Sequence, residues 1–184
     1  MGAVRLQRTL AVLLLGVMLL SAQQVSGGSK PDLEKSAAKS LKLLYKKSPA
    51  ARMLQKKAVG VLVFPNIVKA GFMVGGQIGE GVMLKGGKPS GYYSSVAASY
   101  GYQVGVQSFG YALFFMNDAA LKYLDTSSGF EVGVGPSIVV VDEGMGKSMT
   151  STTATQDVYA FIFDQSGLMA GMGIQGSKIT KLSD

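Results

Sequence analysis

Few side chains in this sequence are equipped for chemistry. It has no Cys and no His, which removes thiol nucleophiles, Ser-His-Asp relays, Cys/His zinc sites and haem held by His. Four spacings are left to weigh. Gly171-Met172-Gly173-Ile174-Gln175-Gly176 has the G-x-G-x-x-G spacing. A dinucleotide loop must open a helix and be followed about 20 positions later by an acidic residue, and neither fits before Asp184. Gly144-Met145-Gly146-Lys147-Ser148 ends like a phosphate-binding loop, but Val141 stands where that motif needs its first Gly. It reads as a surface hairpin loop. Ser36-x-x-Lys39 has the spacing of a Ser/Lys pair, on a lysine-rich face where a solvated ammonium is a poor general base. Asp142-Glu143 is an adjacent acidic pair better suited to a loop end than to proton transfer. The expectation is a protein that is not an enzyme, with no metal site and no cofactor.

The cations are a different matter. Of a formal net charge of +7, almost all sits in one stretch: residues 28–60 carry nine Lys or Arg against Asp32 and Glu34. Residues 61–184 carry seven against nine acids. At ~100° per residue, Lys35, Lys39, Lys42 and Lys46 fall within an arc of about 60°. Leu33, Ala37, Leu41, Leu44 and Tyr45 fall within about 120° on the opposite side. Lys47, Lys56 and Lys57 extend the basic run. Such a stripe meets anionic headgroups, each Lys contributing on the order of 1 kcal/mol near an anionic surface. A basic head on a near-neutral body does not suit nucleic acid, which asks for a basic face on the body itself.

These residues need elements to hold them. The spacing predicts a helix over Asp32–Lys47 and a second over Ala50–Lys57, with Ser48 as its N-cap and Pro49 at its first position. From Val59 the period changes to two. Val59–Phe64 reads as a buried strand ended by Pro65, and Gly71–Leu84 as a long glycine-rich strand or hairpin. Tyr100–Gln107 and Tyr111–Met116 read as strands, and Asn117–Leu124 as a short helix capped by Asn117. Phe130–Gly135 and Ser137–Asp142 read as strands, and Val158–Phe163 with Leu168–Ile174 as a hairpin around Asp164–Gly167. Small residues recur on one strand face: Gly79 with Gly81, Gly101 with Gly105, Gly133 with Gly135, Gly171 with Gly173. Glycine weakens a strand, so the stripe implies close packing on that face or sharp coiling. The expected fold is α+β: N-terminal amphipathic helices packed on a strongly curved, glycine-rich antiparallel sheet or barrel.

Before all this, Arg5 and Arg8 precede the apolar run Leu10–Leu20 and a small, polar stretch. That is the order of a secretory signal peptide, assigned to residues 1–27 with cleavage fitting after either Ala22 or Gly27, and with one domain over 28–184. The run is about half the ~20 residues a spanning helix needs.

The motifs then resemble a known family. Lys57-Ala58-x-x-Val61-Leu62-Val63-Phe64-Pro65-x-x-x-Lys69-Ala70-Gly71-Phe72, followed by Gly75-Gly76-x-x-Gly79-x-Gly81, is similar to the first half of the SYLF-domain family of lipid-binding proteins. Gln103-x-Gly105-x-Gln107, Gly133-x-Gly135-Pro136 and Tyr159-Ala160-Phe161 through Gly176-Ser177 look like its second half. The family often has G-x-W-S-x-P where this chain has Gly91-Tyr92-Tyr93-Ser94-Ser95-Val96. The resemblance implies binding to anionic membrane lipids through a basic amphipathic N-terminal part. On this chain that part corresponds to Lys35, Lys39, Lys42, Lys46, Lys47, Lys56 and Lys57. Taken with the leader, the expectation is a non-catalytic, exported, peripheral lipid-binding protein in the periplasm of a bacterial envelope, on an anionic phospholipid surface. Two alternatives stand beside it: an envelope scaffold using the same helix against an acidic protein, and a small outer-membrane β-barrel.

Overall fold

The computed structural model describes residues 29–126, 130–131, 136–150, 154–169 and 177–183. The expected signal peptide, the Gly133/Gly135 and Gly171/Gly173 pairs and most of the expected strand Leu168–Ile174 lie outside them. Helices α1 (Lys30–Lys47) and α2 (Pro49–Leu54) come first, then strands β1 (Gly60–Lys85) and β2 (Lys88–Phe115). Helix α3 (Asp118–Thr126), strands β3 (Phe130–Glu131) and β4 (Ile138–Val140), helix α4 (Glu143–Ser148), and strands β5 (Val158–Met169) and β6 (Lys178–Lys181) follow.

One long hairpin organises the rest. β1 and β2 pair antiparallel from Gly60↔Phe115 to Lys85↔Lys88. They turn through Gly86 and Gly87 at φ 57° and 77°, the two positive values a tight two-residue hairpin demands. The other edge of β2 pairs with β6 near Tyr93–Val96 and with β5 over Gly105–Phe115. Register shifts at Phe64/Ile67, Phe72/Val74 and Ser108/Gly110 bend the ladder. The hairpin coils until the start of β1 lies on its own end. A Cβ on Gly81 would stand 2.7 Å from Phe64 Cδ1, and one on Gly79 would stand 2.8 Å from Ile67 Cγ1. At Gly79 and Gly81 the small residues therefore permit both the coiling and the close approach.

Several expectations are corrected here. β1 does not end at Pro65: the proline sits in the Phe64/Ile67 irregularity, where a missing N–H costs no ladder bond. Gly71–Leu84 is the far half of that same strand, and Tyr100–Gln107 and Tyr111–Met116 are parts of one β2. Asp164–Gly167 is no hairpin turn. β5 runs through it with Asp164 and Gly167 at positive φ, opposite the Ser108/Gly110 irregularity. The sheet is mixed rather than antiparallel, because β4 pairs parallel with β5. The connection through α4 is long enough to carry the chain back to the same end. Residues 144–148 form that short helix instead of a hairpin loop, capped by Asp142, whose Oδ1 accepts from Met145 N–H at 2.7 Å. Among the described residues no ladder joins β1 to β3 or β4, so the six strands make an open, strongly curved half-barrel.

Two cores flank the sheet where β1, β2 and β5 run together. Leu62, Phe64, Leu113, Phe115, Val158 and Ala160 face α3 and the folded-over end of the hairpin. Val61, Val63, Ala112, Phe114, Tyr159 and Phe161 face α1, α2 and Val141. Burial on both faces explains why these segments read as continuous apolar runs rather than alternating ones.

Asp157 ties the far end together. Its carboxylate accepts from Asn117 Nδ2 at 2.7 Å and from Ser137 N–H and Oγ at 3.2 and 3.1 Å. Asn117 Oδ1 in turn caps α3 by accepting from Ala120 N–H at 2.8 Å, as its position in the sequence predicts. These donors, Asn117 foremost, hold the Asp157 carboxyl below its ordinary value of 3.8. Its stabilisation is complete above the unfolded-chain value and is lost as pH falls through the lower folded one. Asp157→Ala should cost about 1 kcal/mol at neutral pH, the site being near the surface and screened. In urea titrations the gap to wild type should close on acidification; a gap that persisted at low pH would refute this role.

Candidate functional site

Helix α1 carries the cations, and its setting decides which way they point. Ala37, Leu41 and Leu44 are buried in the core that includes Val61, Phe114 and Phe161. Tyr45 meets the Phe114 ring edge-on at 6.3 Å, and its burial raises the phenol to about 12. At the N-terminal end, Tyr92 donates its hydroxyl to Glu34 Oε1 at 2.5 Å, and Lys30 Nζ lies 4.9 Å over the Tyr92 ring. At the other end, Arg52 of α2 donates to the Tyr45 and Lys46 carbonyls, satisfying acceptors that a helix end leaves open. Ser48 Oγ accepts from Ala51 N–H at 3.2 Å, the cap expected from the sequence. The helix is pinned by its apolar face and at both ends, so the lysine face has one orientation.

Lys35, Lys39, Lys42, Lys46, Lys47, Lys56 and Lys57 are all exposed. The first four share one face of α1 and Lys47 closes it. Lys56 and Lys57 belong to a turn rather than to a helix reaching Lys57, because α2 ends at Leu54. A groove of about 440 Å³ is lined by Lys42 and Tyr45 of α1, by Gln55 and Ala58, which flank Lys56 and Lys57 in the chain, and by the Gly86–Gly87 turn. Of the two remaining cations of the segment, Lys30 lies over the Tyr92 ring and Arg52 is committed to the carbonyls of α1.

A second and larger groove was not foreseen. About 760 Å³ in volume, it runs between α1 and the crossing of β1 on itself. Leu33, Leu43, Pro65, Val68 and Ile78 supply its apolar lining, while Lys39, Lys42 and Lys46 stand along its helix side. The sequence did hold one signal. Leu43 falls in neither the apolar nor the basic arc of α1, and a large apolar residue with no assigned face needs a surface to meet. The sheet residues had no local signal, since Val68 and Ile78 become neighbours only when β1 coils.

The position where the resembled family often carries Trp, Tyr93, lies within β2 and is core. Tyr93 is buried, donates its hydroxyl to Asp125 Oδ1 at 2.6 Å, and is held far above its ordinary pKa by burial first and Asp125 second. Asp125 also faces Lys181 at 3.5 Å and Lys85 at 3.9 Å. Ser36, like Lys39, lines the larger groove. Among the described residues no three Asp, Glu, His or Cys side chains gather as a metal site. No helix among them is long and apolar enough to cross a membrane, which leaves a strand-built crossing unaddressed.

Residues 96–184 match a family model described as Ysc84, the Las17-binding protein actin regulator. The match is consistent with a Ysc84 (SYLF) domain family member over this part of the chain. The SYLF match begins within β2 and covers the second of the two motif sets quoted above. α1, α2 and β1, with the lysine face and most of the larger groove, lie outside it. SYLF domains are associated with lipid binding and with actin regulators. No curated protein matches the chain.

Proposed function

We propose that this SYLF protein is a non-catalytic, peripheral lipid-binding protein of the bacterial envelope, exported to the periplasm and held on membranes through the basic face of α1. One observation carries the reading: Lys35, Lys39, Lys42 and Lys46 are all exposed on a helix whose opposite face is locked into the core. A helix that inserted into the bilayer would need that apolar face free. This one instead offers a fixed row of ammonium groups to anionic phospholipid headgroups, with Lys47, Lys56 and Lys57 beside it. Attachment of this kind is reversible and sensitive to salt.

The test is sedimentation of residues 28–184, which contain both cores, with neutral and with anionic vesicles across a salt series. Binding to anionic vesicles alone, falling steeply as the screening length shrinks from ~10 Å at 0.1 M salt to ~3 Å at 1 M, is the expected result. Equal binding to both, or none, would overturn the reading. The family description names a protein partner, Las17; the second reading is an envelope scaffold that uses the same basic helix against an acidic protein, and capture of such a protein that survives removal of lipid would favour it.

A further inference from the structure

We infer that the larger groove takes one acyl chain of a phospholipid and holds its headgroup as a dipole, phosphate toward α1 and ammonium toward the sheet. The inference deepens the lipid-binding reading and rests on it. A volume of about 760 Å³ lies in the range of small-molecule sites, ~300–1,000 Å³. Its lining is apolar and open: Val68 and Ile78 are 38% and 45% exposed. The apolar surface continues sideways across the ladder. Ile78 pairs with Val96, which is 49% exposed, and Val106, at 60%, pairs with Ala70 on the face that Val68 shares. Open apolar surface of this extent on a sheet calls for a partner. A flexible hydrocarbon chain fits the apolar strip of Leu33, Leu43, Pro65, Val68 and Ile78, while Ser36, Ser40 and Asn66 also line the groove.

The rim says what kind of chain. Lys39, Lys42 and Lys46 stand along the helix, while Glu80 and Asp164 stand along the sheet. A third carboxylate, Asp32, lies at the start of α1, where Ser29 Oγ donates to it at 2.6 Å. A headgroup bearing only negative charge would satisfy the lysines and be repelled by Glu80 and Asp164. One that carries a phosphate and a primary ammonium complements both sides. The chemistry that fits is therefore a phosphoethanolamine headgroup on an acyl chain, in preference to a phosphoglycerol one.

Calorimetric titration of residues 28–184 with monoacyl phosphoethanolamines of increasing chain length, below their micelle concentrations, tests this directly. Affinity should rise about fourfold for each added CH₂ until the trough is full, and should exceed that of the matching phosphoglycerol compound severalfold. The double variant Val68→Gln/Ile78→Gln changes only exposed side chains. It should lose at least tenfold in affinity for the longest soluble chain, yet still sediment with anionic vesicles. Glu80→Gln/Asp164→Asn should abolish the preference for ethanolamine; Asn tolerates the positive φ at position 164. Affinity that ignored chain length, or survived Val68→Gln/Ile78→Gln unchanged, would overturn the groove assignment, and equal affinity for the two headgroups would overturn the assignment of the rim. The two readings fail separately. Vesicle sedimentation without chain-length dependence removes the groove alone, whereas chain-length dependence without sedimentation removes surface attachment alone.

Discussion

Reversing Lys35, Lys39, Lys42 and Lys46 to Glu together is expected to abolish sedimentation with anionic vesicles and leave the fold intact. At about 1 kcal/mol for each Lys near an anionic surface, losing four costs about 4 kcal/mol, roughly a thousandfold in affinity. The new carboxylates add repulsion. The fold should survive because all four side chains are exposed and make no ion pair among the described residues. The helix itself is barely disturbed. Lys35 with Lys39 and Lys42 with Lys46 are already like-charged pairs four residues apart, and reversal keeps them so. The one local penalty is a Glu in place of Lys46 in the last turn, about 0.3–1 kcal/mol against the helix dipole. Circular dichroism should superimpose on wild type. A folded variant that still binds anionic vesicles would remove the lysine face from the mechanism.

Gly81→Ala should be a strongly damaging single methyl addition, because it falls where β1 crosses itself. Its Cβ would lie 2.7 Å from the Val63 carbonyl oxygen and 2.7 Å from Phe64 Cδ1. The carbonyl belongs to the ladder and cannot rotate away as a side-chain end can. Relief requires the two crossing parts of β1 to separate, which opens the core around Phe64, Met83 and Tyr93. Overpacking of this kind costs about 3 kcal/mol or more, lowering Tm by about 10 °C in a domain of this size. Gly76→Ala is the control. The same change in the same strand meets only the Ala97 carbonyl at 3.5 Å, an ordinary contact. Its Tm should stay within a few degrees of wild type, since an added methyl also relieves the strand of a glycine. Equal melting of both variants would mean that the crossing is not the constraint it is taken to be.

The lysine face and its grooves were legible to different depths. α1, its two opposed stripes and the caps at Ser48 and Asn117 can be read from the chain because each depends on residues within a turn or two of one another. The exposure of Lys35, Lys39, Lys42 and Lys46 follows from the same period, once Ala37, Leu41 and Leu44 are granted a core. Ser36-x-x-Lys39 and the Gly-rich loops are also legible as spacings without the context their chemistry needs. Asp164 and Glu80 gave no sign of sharing a rim with α1, because in the chain they stand far apart and in strands of unrelated period.

Which side of each element faces inward can be read along the chain. The 3.6-residue period places apolar and basic side chains on opposite sides of α1, and continuous apolar runs mark strands buried on both faces. What those faces meet is set by the packing of distant segments. That β1 passes through Pro65, folds back on Gly79 and Gly81 and so sets Val68 beside Ile78 depends on contacts between residues a dozen or more apart. The parallel pairing of β4 with β5 likewise depends on where α4 returns the chain. Periodicity records burial, a property of each residue's own side of its element. The choice of partner is made by packing between distant segments, where each contact counts only after the chain entropy of bringing them together has been overcome.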